Sequence, residues 1–287
     1  MSVPEIDKDN DVEPYQWQIA GHLISKTDAD KRYVGLLRDR KSRHILKPWQ
    51  QPPRGDCEVR AYERIWNDDG IGDAQLRSLR PLVPKYYGKR TLAVNGVDTL
   101  YLELEDVTAN MQKPCITDIK IGAQTWDPNA DLEKIKTEST KYAPFAERLC
   151  FRFLGMMVYQ PQHGTYLVRD KQWGKKVTDN DIIPAFTDYF SAAGKHGLSV
   201  IDHVLEKLRS IERWFCKPTG HAFYSSSILI AYDAASEGLV DHHSGIDVRM
   251  IDFTHVFEHD GCDMNYLNGV RSVIRHIELC KTSMHST

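Results

Sequence analysis

The sequence predicts an α+β protein in two lobes, and three observations carry that prediction. Short alternating apolar runs joined by polar turns crowd the first third of the chain, with one helical stretch among them. Farther on, long helical stripes and extended runs occur in blocks instead of alternating as βαβ units. The length of 287 residues also suffices for one large domain or two modest lobes, since single cores rarely grow past roughly 250 to 300 residues, and two lobes around a cleft are expected.

Residues 1–14, MSVPEIDKDNDVEP, are acidic and Pro-containing and read as a disordered leader, with neither a signal peptide nor a membrane anchor in them. YQWQIAGHL (15–23), RYVGLLRD (32–39) and HILKPW (44–49) read as three strands of a meander. DCEVRAYERIWND (56–68) sets Val59, Tyr62, Ile65 and Trp66 on one helical face, with Asp56 as N-cap. VPKYYGKRTLAV and DTLYLELEDV flank Asn95-Gly96, the dipeptide that most strongly marks a tight hairpin. These elements make an N-lobe of residues 15–107, and the polar joint TANMQK opens a C-lobe of residues 108–287.

In that lobe PCITDIKIG reads as a strand, DLEKIKTESTKY (131–142) as a polar helix and RLCFRFLGMMVYQ as buried and extended. A helix capped by Thr178 follows, which Pro184 is expected to kink or shorten. The clearest helix, SVIDHVLEKLRSIERWFCK, carries an apolar stripe from Ile201 to Phe215, with Ser199 and Asp202 as a capping box and Pro218 as its stop. Two strands, AFYSSSILIAYD and DVRMIDFTHVF, joined by the loop AASEGLVDHHSG, precede a closing helix NYLNGVRSVIRHIELCK.

Composition narrows the function classes. A net charge of −3 argues against coating nucleic acid by bulk electrostatics, so any anionic ligand needs a local basic pocket. No apolar run approaches the roughly 18 residues of a spanning helix. Six cysteines without a C-x-x-C pair suggest neither a zinc site nor a redox motif, and fit reduced thiols inside a cell, in nucleus or cytoplasm. A monomer is expected.

Several residues are placed for chemistry. In an extended PCITDIKIG, Asp118 and Lys120 point to the same side among isoleucines, which is costly unless they pair with each other or with a ligand. Lys47 ends an apolar strand, and Glu58 on the next helix can orient it. Asp252, after two apolar residues in RMIDFTHVF, suits a metal ligand or base, with His255 near it as a ligand contact or a core histidine. Helix 131–142 sets Lys134, Thr137, Glu138 and Lys141 on one face, with Lys136 beside them, and Lys175 adds charge in WGKK.

PCITDIKIG also matches the P-x-x-x-D-x-K-x-G signature of the inositol polyphosphate kinase family, and LEDVT, FLGMMVY, YSSSILI and MIDFTH agree in order. The resemblance covers most of residues 44–280, and the short segment between Gly122 and Gly155 is most similar to the multikinase branch. It implies a protein-kinase-like two-lobed fold, ATP and Mg2+ as cofactors, and inositol tris- and tetrakisphosphates phosphorylated at ring hydroxyls, the 3- and 6-positions on the way to the pentakisphosphate. The trisphosphate 3-kinases and hexakisphosphate kinases are the alternatives within the family. Phosphoinositide head groups are a further possible substrate.

By that resemblance Lys47, oriented by Glu58, meets ATP phosphates, Glu105 and Val107 meet adenine through backbone groups, and Asp118 binds the ribose. Lys120 touches acceptor and transferring phosphate, Asp252 holds the metal, and Ser226 lies near the catalytic centre. His255, Lys134, Lys136, Thr137, Lys141 and Lys175 face the inositol phosphate. The sequence departs from the family at Met157, where some relatives carry a basic residue, and Glu138 puts a carboxylate among phosphate-binding positions. A protein kinase is disfavoured by the absence of G-x-G-x-x-G, H-R-D and D-F-G segments. A non-catalytic inositol phosphate-binding scaffold would have no need of Asp252.

Overall fold

The computed structural model describes residues 11–19, 35–67, 73–94, 96–141, 148–235 and 245–285. The first sheet is built from β1 (Val12–Pro14), β2 (Leu37–Asp39), β3 (Ile45–Pro48), β4 (Tyr86–Val94) and β5 (Val97–Leu104), in the order β1-β2-β3-β5-β4 with antiparallel neighbours. The hairpin β4–β5 forms where Asn95-Gly96 lies; Gly96 has φ +74°, a conformation glycine adopts without a Cβ clash. Helix α1 (Arg54–Trp66) packs against β4 of this sheet. Its Tyr62 ring packs between Tyr86 of β4 at 5.6 Å and Phe253 at 5.1 Å.

The second sheet contains β6 (Pro114–Ile121), β7 (Phe151–Gln160), β8 (Thr165–Arg169), β10 (Ser227–Asp233) and β11 (Ile246–Ile251), in the order β11-β10-β6-β7-β8. A separate pair joins β9 (His221–Phe223) to β12 (Val256–Glu258). The helices are α2 (Ala74–Arg77), α3 (Leu132–Lys141), α4 (Lys171–Gly174), α5 (Asp179–Ser191), α6 (Gly197–Phe215) and α7 (Met264–His285). One face of β6, with Ile119 and Ile121, joins the large core under α5, α6 and α7. The other face carries Ile116, Asp118 and Lys120. The joint between the sheets is pinned by buried Asp233, whose carboxylate accepts from the N–H groups of Gln112 at 2.9 Å and Lys113 at 2.8 Å.

Several local expectations change. Residues 12–14 of the expected leader form the edge strand β1, because Val12 buries itself in the sheet's small core; residues 1–10 lie outside the described residues. Residues 15–19 are not a strand. Their apolar side chains cover the second sheet instead, Ile19 packing with Ile116, Met157 and Ala231. Gly155 admits that segment, since a Cβ there would come within 2.6 Å of the Ile19 carbonyl oxygen.

Asp56 does not cap α1, which starts at Arg54 after Pro53 and leaves Asp56 in the first turn. Ser199 does not cap α6 either. That helix begins at Gly197, so Ser199 is already helical and its carbonyl accepts from His203 Nδ1. Thr178 does open α5, its N–H and hydroxyl both donating to Asp181 at 2.8 and 2.6 Å, and the helix runs past Pro184 to Ser191 without shortening.

Candidate active site

Each of the two strands predicted near the C-terminus is broken in the middle, and the breaks build the site. Ser225 separates β9 from β10 with φ +55°, and Asp252 ends β11 with φ +67°. Such left-handed positions cost a non-glycine residue about 1 kcal/mol or more, aspartate being among the more tolerant. The surroundings hold Asp252 there: the fully buried Ser226 donates its hydroxyl to the Asp252 carbonyl at 2.8 Å, and Phe253 N donates to Glu58 Oε1 at 3.2 Å. Ser226 therefore acts on the backbone that aims Asp252.

Lys47 bridges two carboxylates from different parts of the chain, with Nζ 2.5 Å from Glu58 Oε1 and 2.6 Å from Asp252 Oδ1. Glu58 is buried, while the Asp252 side chain keeps 38% of its exposure and faces the cleft. Burial disfavours the charge on Lys47, but Asp252 and Glu58 outweigh it and hold the ammonium's pKa well above the usual lysine value. Burial likewise opposes ionisation of Asp252, yet Lys47 and then Lys120 keep it below the usual carboxylate range.

A cleft of about 660 Å3 opens between the sheets, with Lys47, Glu105, Asp106 and Val107 on one wall and Asp118 and Asp252 on the other. The Glu105 N–H is engaged by the Lys85 carbonyl at 2.8 Å. Among the described residues, neither the Glu105 carbonyl nor the Val107 N–H is taken up by a backbone partner, leaving an acceptor and a donor two residues apart.

On β6 the alternative of an ion pair between Asp118 and Lys120 falls away, as none joins them among the described residues. Asp118 is 5% exposed and its Oδ1 is buried without a hydrogen-bond partner. Burial, then the charge of Asp252, pushes its pKa up to about 7. Lys120 stands opposite Ser227 on one side and Arg152 on the other. Burial, then Arg152, pulls its pKa down to about 8, against the opposing pull of Asp252 and Asp118. A buried acid with one unpartnered oxygen and an under-neutralised base thus share one face of β6.

Beyond Lys120 a second group assembles. The loop after β6 turns at Gly122, where φ is +95° and a Cβ would meet the Asn265 side chain at 2.4 Å. Asn265 clamps the loop, accepting from Gln124 N at 2.9 Å and donating to its carbonyl at 3.0 Å. Buried Asp127 then contacts His255 Nδ1 at 2.8 Å and Lys134 Nζ at 3.2 Å. Glu138, an unexpected carboxylate on α3, accepts from Thr125 Oγ1 at 2.9 Å and so ties helix to loop.

Of the helix residues expected at an anionic ligand, the geometry brings Lys134 and His255 together. Lys136 and Thr137 are exposed, Lys136 lying two residues from Lys134 and so on the other side of the helix; the Lys141 side chain lies outside the described residues. Lys175 is exposed at the end of α4.

The model of the inositol polyphosphate kinase family matches residues 101–278. This chain belongs to that family. An inositol polyphosphate multikinase of Homo sapiens is 35% identical over 78% of this chain and 52% of its own length, so the chain spans about half of that relative. The multikinase IPK2 of rice (Oryza sativa) is 30% identical and is covered over 94% of its length, with 93% of this chain. Among solved structures, the S. cerevisiae inositol phosphate multikinase Ipk2 superposes with a TM-score of 0.66 at 22% identity, over 82% of this chain and 98% of that one, a likeness of fold.

The family match begins at Tyr101 and so includes Glu105, Asp118, Lys120 and Asp252 of this inositol polyphosphate kinase family member, while Lys47 and Glu58 enter through their contacts with Asp252. Four features escaped sequence reasoning. Asp127 is not among the residues the sequence singles out, although Asp-Pro after an aromatic favours a turn. Arg152 is found only through its register with Lys120. Lys171 is exposed at the start of α4, and its charge also depresses Lys120. Trp17 and Ile19 line the cleft from a segment that reads as a strand.

Proposed function

We propose that this chain is an ATP- and Mg2+-dependent kinase that phosphorylates inositol tris- and tetrakisphosphates at ring hydroxyls, with the 3- and 6-positions as acceptors. One observation carries the reading: Asp118, which lines the cleft with Asp252 and has a buried oxygen lacking a partner among the described residues, shares a face of β6 with Lys120, for which the described residues supply no paired counter-ion. Desolvating both groups is expensive, and ligands on either side would supply the missing partners.

The residues suit each part of the task. The Glu105 carbonyl and Val107 N–H offer an acceptor and a donor to an adenine edge, and the unpartnered Asp118 oxygen suits ribose hydroxyls. The yeast structure that shares the fold is a complex with ADP and Mn2+. No three His, Cys, Asp or Glu side chains converge among the described residues, and Mg2+ does not ask for that, since one or two carboxylates plus nucleotide phosphates usually hold it. Asp252 is the ligand that fits, being ionised and partly exposed.

A bound Mg2+ would neutralise charge on the nucleotide phosphates. Lys47, kept in place by Glu58, turns its ammonium to the same phosphates. Lys120 would reach the transferring group and the acceptor from the face of β6 that also carries Asp118. Lys134 receives a phosphate of the inositol ring, and His255 stands beside it at the acceptor. Phosphoryl transfer depends on this alignment and charge neutralisation, and a loose transition state places little demand on a general base.

The test is product analysis, phosphate position by phosphate position, with ATP and resolved inositol tris- and tetrakisphosphate isomers, run in parallel with a phosphoinositide in vesicles. Wild type should transfer, and Asp252→Asn should fold and bind nucleotide yet lose at least about a hundredfold in turnover. Binding of the inositol phosphate without any transfer would leave a scaffold, and the kinase reading would fall.

A further inference from the structure

Asp127 has three partners, and two of them, His255 and Lys134, lie on other elements. Its Oδ2 is shared by His255 Nδ1 at 2.8 Å and Lys134 Nζ at 3.2 Å, while Oδ1 accepts from Asn129 N at 2.9 Å and seats the turn. His255 belongs to the segment between β11 and β12, and Lys134 to α3. One buried carboxylate therefore joins the two elements expected at the acceptor. Its own position is set by rigid neighbours, Asn265 of α7 clamping Gln124 and Ser225 donating to the Thr125 carbonyl at 2.9 Å.

The protonation states follow from the contacts. Burial would raise the Asp127 carboxyl, but the Lys134 hydrogen bond and the Asn129 N–H hold it below the usual carboxylate range, so it is ionised and can only accept. His255 Nδ1 must then carry the hydrogen. The charged groups facing that ring are Asp127, Lys134 and Arg54; burial and the two cations outweigh Asp127 and keep the imidazole below its usual pKa, hence neutral near pH 7. A neutral ring with hydrogen on Nδ1 presents Nε2 as an acceptor.

We propose that Asp127 is a positioning residue for the acceptor: by fixing the His255 tautomer it makes Nε2 accept the hydrogen of the acceptor hydroxyl, and by tethering Lys134 it holds the cation that receives a ring phosphate. This deepens the kinase reading and rests on it. The hydroxyl oxygen would present a lone pair to the donor phosphate, and the register between hydroxyl and ring phosphate would be set by a single carboxylate. Asparagine in its place can rotate its amide and donate to Nδ1, which reverses the tautomer and removes the acceptor at Nε2.

The experiment is a kinetic cycle on the full chain with ATP and inositol trisphosphate. Asp127→Asn should lower kcat by at least about tenfold with an unchanged KM for ATP, and should move the acid limb of the pH profile to lower pH because His255 loses its anion. Asp127→Glu should recover part of the rate. In a His255→Ala background the same change should cost little further kcat, since the effect on kcat runs through His255, while the Lys134 tether still shows in the KM for inositol trisphosphate. Equal losses in both backgrounds, or an unchanged pH profile, would overturn the proposal.

Ring 15N shifts of His255 in the wild-type protein give a check that does not depend on any variant folding. Hydrogen on Nδ1 is expected, and hydrogen on Nε2 would sink the idea. If wild type transfers no phosphate to any inositol phosphate, the kinase reading itself has failed, an outcome distinct from wild-type transfer that is indifferent to Asp127.

Discussion

Replacing Lys47 with methionine keeps the length and apolar stem of the side chain and removes one charge from between two carboxylates. Lys47 Nζ lies 2.5 Å from Glu58 and 2.6 Å from Asp252, but the two acids lose unequally. Asp252, with 38% of its side chain exposed, can turn to water; Glu58, at 1%, cannot. Removing one partner of a buried pair costs about 3–5 kcal/mol, a large share of the roughly 5–15 kcal/mol that holds a domain together. The Glu58 carboxyl is already raised by burial despite the opposing pull of Lys47, so the variant raises it further. A carboxyl whose folded pKa lies above its unfolded value costs stability above that folded pKa, and the cost fades as pH falls through it. Urea denaturation should therefore show Lys47→Met less stable than wild type by about 3 kcal/mol at pH 8, with a smaller deficit at pH 5.5. Adding Glu58→Gln should restore most of the loss while leaving phosphotransfer absent. A variant as stable as wild type at pH 8, or a deficit that ignores pH, would refute the reasoning.

Asp118→Asn tests the other buried acid. Its folded pKa of about 7 exceeds the ordinary 3.8, so ionised Asp118 costs stability above pH 7 and the cost shrinks as pH falls toward 3.8. The variant should melt higher than wild type at pH 8, with the difference shrinking as pH falls, and gain less from ATP; a lower Tm without nucleotide counts against the burial argument. For Lys120, with a pKa of about 8, kcat/KM for the acceptor should fall as pH rises through 8. Arg152→Gln should move that limb upward, because the guanidinium no longer depresses the ammonium, and a limb at the same pH in both proteins would disprove the coupling.

The hairpin at Asn95-Gly96, the stripe of α6 and the shared face of Asp118 and Lys120 were legible because each depends on residues close in sequence, where a period of 2 or 3.6 or a turn dipeptide decides the outcome. The caps at Asp56 and Ser199 were misread for the converse reason. Good capping chemistry was present there, but packing began the helices earlier, α1 after Pro53 and α6 with buried Gly197. The segment at Trp17 and Ile19 has a strand's apolar content but covers the second sheet, a choice between two partners that local pattern does not encode.

The sequence by itself determined which chemical groups are available and which strand faces carry them, including the signature that places the chain in its family. Tertiary structure alone decided which of those groups meet. Lys47 and Asp252 are 205 residues apart, and Asp127 reaches His255 across most of the C-terminal half of the chain. Such meetings depend on how two sheets dock and where two strands break, and the free energy that sets them is summed over the whole core, with no short stretch of residues holding enough of it to show in the pattern.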